Sequence, residues 1–170
     1  MFGSSDCGEH PWHRLERGEI DFATYCEEFA ALCERHAVSL PCPSLHEIYD
    51  LHPNRRLIHE LLSWRSPALK IGIATNNVAE MRAWWHCQVD AGQFDVVFDS
   101  SLIHCRKPDA KFFLAIGEYC DHSDIALHHT WLVDDVRANV EGALRVGMRG
   151  LVVDGEEDAI LAAVERLRYP

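Results

Sequence analysis

From Leu69 to the C-terminus, short apolar runs alternate with segments of helical period, and this alternation limits the fold more than any other feature. The runs at 69–74, 94–98, 130–133 and 150–153 are rich in Ile, Val, Leu and Phe and too short for helices, as expected of strands buried on both faces. Between and after them, residues 78–89, 109–120, 136–146 and 156–167 repeat apolar side chains every three or four positions, and Gly147 is well placed to cap the third of these helices. Such alternation predicts an α/β fold: a parallel sheet with helices on both faces and functional groups at the carboxyl ends of its strands.

The first 66 residues read differently. Residues 1–19, with Gly3, Gly8, Pro11 and Gly18, read as irregular. Phe22, Tyr25, Phe29, Leu32 and Cys33 then mark a helix from an Asp21 cap to about His36, which Leu40-Pro41-Cys42-Pro43 ends. Ser44 caps a short helix through Tyr49, and Leu57, Ile58, Leu61, Leu62 and Trp64 mark another. The expected organisation is a helical cap region over 1–66 and an α/β core over 67–170.

Composition narrows the partners. A formal net charge of −11 opposes nucleic acid binding, which depends on Lys and Arg meeting phosphates. No apolar run approaches the roughly 20 residues of a membrane span, and the first residues lack a basic and apolar leader, so a cytoplasmic protein is expected. The seven cysteines form no C-x-x-C pair and read as reduced, mostly buried thiols. His10, His13, His128 and His129 lack metal-ligand spacing and read as ordinary histidines. Trp84-Trp85 reads as core or a subunit contact. Cys105, near Lys107, has a cationic neighbour able to lower its pKa but no evident base, which leaves a cysteine hydrolase without support.

Three strand ends carry chemistry. In Ile73-Ala74-Thr75-Asn76-Asn77, the Thr75 hydroxyl and the following N–H groups suit a phosphoryl oxygen, or simply form a polar turn. Lys107, before Pro108-Asp109, is either a phosphate-neutralising ammonium or a solvated loop lysine. Asp134-Asp135, ending a buried strand, either binds Mg²⁺ with waters and a substrate phosphate or caps the next helix.

In this order and spacing the motifs closely resemble the haloacid dehalogenase-like (HAD) hydrolase superfamily. The resemblance is to its helical-cap subgroup, which includes the phosphatase domain of soluble epoxide hydrolases. Arg17-Gly18-Glu19-Ile20 with Tyr25 and Phe29 resembles the start of the cap, and Ile73-Ala74-Thr75-Asn76 the second motif. Phe94-Asp95 through Ser100 to Lys107-Pro108-Asp109 resembles the third. Val133-Asp134-Asp135 with Asn139, Ala143, Gly147 and Met148 resembles the fourth. The resemblance implies a Rossmann-like sheet and phosphoryl transfer to an aspartate, followed by hydrolysis of the aspartyl phosphate. Thr75 and Asn76 would bind the phosphate, Lys107 would steady it and the nucleophile, Asp135 would be a direct Mg²⁺ ligand, and Asp134 would serve beside it.

One motif has no counterpart. The family's first motif, Asp-x-Asp or a close variant, ends a strand that precedes the cap, and its first Asp is the nucleophile. Here the cap-like stretch begins by about residue 12. Asp6 follows no apolar run and Asp21 belongs to a helix, so neither carries over. The resemblance places that strand between those at 69–74 and 131–134. Its loss would leave a gap of roughly 9–10 Å or force the two neighbours to pair directly. A natural protein longer by about 20–40 residues upstream, or a late start, is the expected explanation.

The expected function is accordingly that of a HAD-like, Mg²⁺-dependent phosphatase for a small phosphorylated metabolite, inactive as this chain for want of the nucleophile. Mg²⁺ binding is expected to be weak or absent. A non-catalytic module binding a phosphorylated ligand or a protein is the second expectation, and a truncated product without function the third. Substrate identity and oligomeric state are not legible.

Overall fold

The computed structural model describes residues 9–48 and 53–167. Tyr49, the expected end of the short helix after Ser44, and Asp6 lie outside these residues.

The first departure from expectation is at the start. Residues Pro11–Glu16 form helix α1, where an irregular segment was expected. Pro11 opens it with a preset φ and a missing N–H that costs nothing at that position, while His10 Nδ1 accepts from Trp12 N at 3.2 Å. Helix α2, Phe22–Arg35, begins as expected at Asp21, whose carboxylate accepts from Thr24 N at 2.8 Å. Helix α3, Leu45–Ile48, opens on a reciprocal box: Ser44 N donates to Glu47 Oε2 at 2.7 Å, and Glu47 N to Ser44 Oγ at 3.3 Å. Asn54 caps helix α4, Arg55–Ser63.

Strand β1, Gly72–Thr75, leads through a 3-10 turn at Ala79–Met81 into helix α5, Arg82–Val89. Strand β2, Val96–Asp99, is followed by a short helix that the sequence pattern did not announce, α6, Ser100–Ile103, and then by α7, Ala110–His122. Strand β3, Trp131–Asp134, helix α8, Arg137–Arg145, strand β4, Arg149–Val152, and helix α9, Glu157–Glu165, complete the order. Gly147 has φ of +93°, a left-handed value that lets the chain leave α8 and enter β4 within a few residues.

The strands do not form one sheet. β1 pairs in parallel with β2, Thr75 opposite Asp99, and β3 pairs in parallel with β4, Asp134 opposite Val152. Among the described residues no strand ladder joins the two pairs.

Two apolar clusters hold these elements. The larger gathers Phe98, Phe112, Phe113, Ile116, Cys120, Leu132, Val140 and Ala143, so α7 and α8 share one core with strands of both pairs. Phe112 and Phe113 are fully buried, each contributing on the order of 1.5–3 kcal/mol. The smaller joins Leu15, Tyr25, Val78 and Met81, with Trp12, Phe29 and Trp84 packed against it. It therefore seats α1 and α2 on the segment that follows β1. Trp85 is buried, in line with a core role.

The cysteines depart from expectation. Cys26 and Cys42 form a disulfide with Cα atoms 5.5 Å apart, because the chain returning from α2 brings residue 42 back beside the helix. Cys33, Cys87, Cys105 and Cys120 are free thiols.

Candidate functional site

The carboxyl ends of β1 and β3 meet at one side chain. Lys107, 7% exposed, donates from Nζ to Ala74 O at 2.7 Å and to Asp134 Oδ2 at 2.6 Å. One ammonium thus bridges the divided sheet, satisfying a carbonyl at the end of one pair and a carboxylate at the end of the other. A buried charge needs such compensation, and Asp134, 8% exposed, has it in full. Its Oδ2 takes the lysine, while Oδ1 accepts from Val136 N at 2.8 Å and Asn139 Nδ2 at 3.0 Å.

Lys107 is held from behind by Asn76. Its backbone N donates to Asn76 Oδ1 at 2.8 Å, and Asn76 Nδ2 donates to Lys107 O at 3.0 Å. The amide side chain thereby imitates a strand partner for one residue, and Asn76 turns toward the lysine backbone rather than outward. Thr75 lies half-buried beside it, and its hydroxyl donates to Asn76 O over a long 3.4 Å.

Behind this surface lies a buried polar network with no local signature in the sequence. Asn77 N donates to Ser100 Oγ at 2.9 Å, and Asn77 Nδ2 to Asp99 Oδ2 at 2.9 Å. Asp99, fully buried, also accepts from Ser101 N and Ser101 Oγ, and Arg82 Nη2 donates to Ser101 Oγ at 2.8 Å. Together they lock the end of β1 to the end of β2.

The structure brings Thr75, Asn76, Lys107 and Asp134 together, with Asp135 next along the chain. Asp135 is exposed. Of the two roles posed for the Asp pair, Mg²⁺ binding or capping, the structure gives α8 no side-chain cap: Val136 stands at its N-cap, Asp134 is taken up by Lys107, Val136 N and Asn139, and Asp135 is the carboxylate open to solvent. Among the described residues no cluster of three or more His, Cys, Asp or Glu side chains could hold a metal. Asp135 is an exposed carboxylate, the oxygen-donor type that Mg²⁺ takes, and by itself would supply one ligand. The remaining positions would fall to water, phosphate or a further carboxylate.

Cys105 behaves opposite to the sequence-based expectation: burial first, then the Asp109 carboxylate, pushes its thiol up, and the nearby cation that opposes this is Lys111. That leaves a thiol poorly suited to nucleophilic chemistry.

No protein-family model matches this chain. In sequence it is 26% identical over 166 residues to mouse acyl-CoA dehydrogenase family member 10, covering 94% of this chain and 15% of that protein. It is 35% identical over 92 residues to phosphatase MT3486 of Mycobacterium tuberculosis, covering 53% of this chain and 41% of that protein. The chain thus spans less than half the length of either relative.

Among solved structures, it superposes on the predicted HAD-like family hydrolase of Porphyromonas gingivalis with a TM-score of 0.66 at 21% identity, over 92% of this chain and 78% of the other. The fold is that of the HAD-like hydrolases. The HAD family enzyme bt-2542 of Bacteroides thetaiotaomicron, in complex with magnesium and inorganic phosphate, superposes at a TM-score of 0.60 and 19% identity over 84% of this chain and 74% of that one. The HAD-like fold accounts for the α/β order. Among the described residues, no helix is long and apolar enough to cross a membrane.

Proposed function

We propose that this chain carries the phosphate-handling half of a Mg²⁺-dependent phosphatase of the HAD-like type, acting on a small phosphorylated metabolite through an aspartyl phosphate. The observation that carries this reading is the Lys107 ammonium, held by Ala74 O and Asp134 at the shared carboxyl end of two parallel strand pairs. The 35% identity to a phosphatase and the likeness to an enzyme crystallised with magnesium and phosphate support it.

In this reading Lys107 neutralises phosphate charge, and the Thr75 hydroxyl and the N–H groups after it orient the phosphoryl oxygens. Asn76 acts through the lysine backbone that it clamps. Asp134 keeps the ammonium oriented, and Asp135 offers Mg²⁺ a carboxylate. When bound, the metal supplies charge neutralisation at the phosphate. Among the described residues no second carboxylate is hydrogen-bonded to Lys107, and the attacking aspartate would sit on a strand between β1 and β3. The 170-residue chain is therefore proposed to bind phosphate without hydrolysing it. The divided sheet equally favours the second reading, a non-catalytic module for a phosphorylated ligand or a protein. A cytoplasmic site of action belongs to the same proposal and must accommodate the Cys26–Cys42 disulfide, a bond that cytosolic reductants ordinarily break.

Titration with inorganic phosphate, with and without Mg²⁺, tests the reading, alongside turnover of p-nitrophenyl phosphate. Phosphate binding with at most a weak Mg²⁺ enhancement, which Asp135→Asn removes, is the expected result. Absence of phosphate binding would overturn the site, and strong Mg²⁺-dependent turnover would overturn the claim of inactivity.

A further inference from the structure

We propose that the Glu16–Arg106 ion pair is a positioning device for Lys107, through which the seating of the N-terminal helices sets where the ammonium lies. The inference rests on the reading of Lys107 as the phosphate-facing cation.

The contact is local on one side and remote on the other. Arg106 Nε donates to Glu16 Oε2 at 2.6 Å, and the two side chains are 18% and 8% exposed. Glu16 ends α1, ninety positions from Arg106 in sequence. Neighbouring residues grip the same segment: Ser100 Oγ donates to Glu16 O at 2.6 Å, and His104 Nδ1 lies 2.9 Å from Arg17 O. Gly18, at φ +63°, sits so close that a Cβ there would lie 2.8 Å from Ser101 O. The turn after α1 is therefore pressed against residues 100–106 along its length.

Lys107 follows immediately. Its own backbone is fixed by Asn76 from the core side, at 2.8 and 3.0 Å. Arg106 is thus the last of the ties to α1 before Lys107, one residue away from it, and Asn76 holds Lys107 itself to the end of β1. With both ties, the backbone of Lys107 has a defined position and Nζ reaches Ala74 O and Asp134 together. Without the Glu16 tie, residues 105–106 can shift between the His104–Arg17 contact and the Asn76 clamp, and the four-carbon stem of the lysine carries that displacement to its tip. Burial makes the tie directional, since neither the guanidinium nor the carboxylate has a full water shell as an alternative partner.

The test uses the whole 170-residue chain. The Lys107 ammonium is followed by ¹⁵N-detected NMR, and inorganic phosphate affinity is measured by calorimetry, in the natural protein, Arg106→Gln, Arg106→Lys and Glu16→Gln. Expected are a displaced Lys107 resonance and phosphate affinity lower by about 10-fold in each variant, the size usual for loss of a group that orients a ligand-binding residue. The charge-swapped pair Glu16→Arg/Arg106→Glu is expected to restore both in part. A pair that only supports the fold would lower the unfolding midpoint and leave the folded-state Lys107 signal unmoved, and that result would overturn the proposal. Arg106→Lys retains the charge and serves if Arg106→Gln does not fold. If the natural chain binds no phosphate, the functional reading falls, while the lysine resonance still decides whether the pair positions Lys107.

Discussion

Lys107 Nζ and Asp134 Oδ2 lie 2.6 Å apart although one residue lies in the loop before α7 and the other ends β3, and among the described residues no strand ladder joins the β1–β2 and β3–β4 pairs. The pair is almost wholly buried, with side-chain exposures of 9% and 5%, so each charge depends on the other for compensation. Stability and proposed chemistry therefore meet in one contact.

Replacing Lys107 by Met strands the Asp134 carboxylate with only Val136 N and Asn139 as donors. A loss of about 3–5 kcal/mol in unfolding free energy is expected. The double variant Lys107→Met/Asp134→Asn removes the orphaned charge while keeping an acceptor, and should recover at least half of that loss. Urea denaturation of both variants provides the check.

Gly142 tests how tightly α8 is seated. A Cβ there would lie 2.6 Å from Phe113 Cε2 and 2.7 Å from Pro108 O, one a core ring and the other a backbone carbonyl. Neither yields easily, so Gly142→Ala should destabilise by about 1–3 kcal/mol despite its better helix propensity. An unchanged thermal midpoint would show that α8 can shift without penalty.

His13 gives the fold a pH dependence. Burial first, then the Arg106 guanidinium, holds its imidazole below the usual range, against the opposing pull of Glu16 and Glu9. The unfolded chain therefore binds the proton more readily. The stability associated with a neutral His13 is complete above about pH 6.5 and is lost as the pH falls toward the lower folded-state value. Unfolding free energies measured from pH 7.5 to 5.5 should decline in the natural chain and decline less in His13→Gln.

The Cys26–Cys42 bridge closes a loop of 16 residues between α2 and the Pro41–Pro43 segment. By chain entropy such a loop stabilises by about 3 kcal/mol. Cys26→Ala/Cys42→Ala should lower unfolding free energy by that amount in oxidising buffer and change it little once the natural chain is reduced. Equal stability of the two proteins in oxidising buffer would contradict the bridge.

Much of the architecture was legible beforehand, because it is written in local periodicity. Val, Ile and Phe runs of strand length between segments of helical period placed all four strands to within a few residues, and Asp21, Ser44 and Gly147 marked helix ends through short-range hydrogen bonding and backbone geometry. Helix α1 was missed because Gly and Pro around it signal irregularity, whereas Pro11 in fact opens a helix. Helix α6 was missed because its four residues are too few for any period to register.

Thr75, Asn76, Lys107, Asp134 and Asp135 could be nominated from the chain alone, since each stands where a predicted strand or loop ends. Their division of labour could not. That Asn76 clamps the backbone of Lys107, that Asp134 is consumed by the lysine and two further donors, and that Glu16 reaches Arg106 are contacts between distant parts of the chain. Helix period and strand alternation arise from neighbours a few residues apart, so residue order suffices to reveal them. Which buried charge finds which partner depends on packing across the whole molecule, and that is settled only when the elements come together.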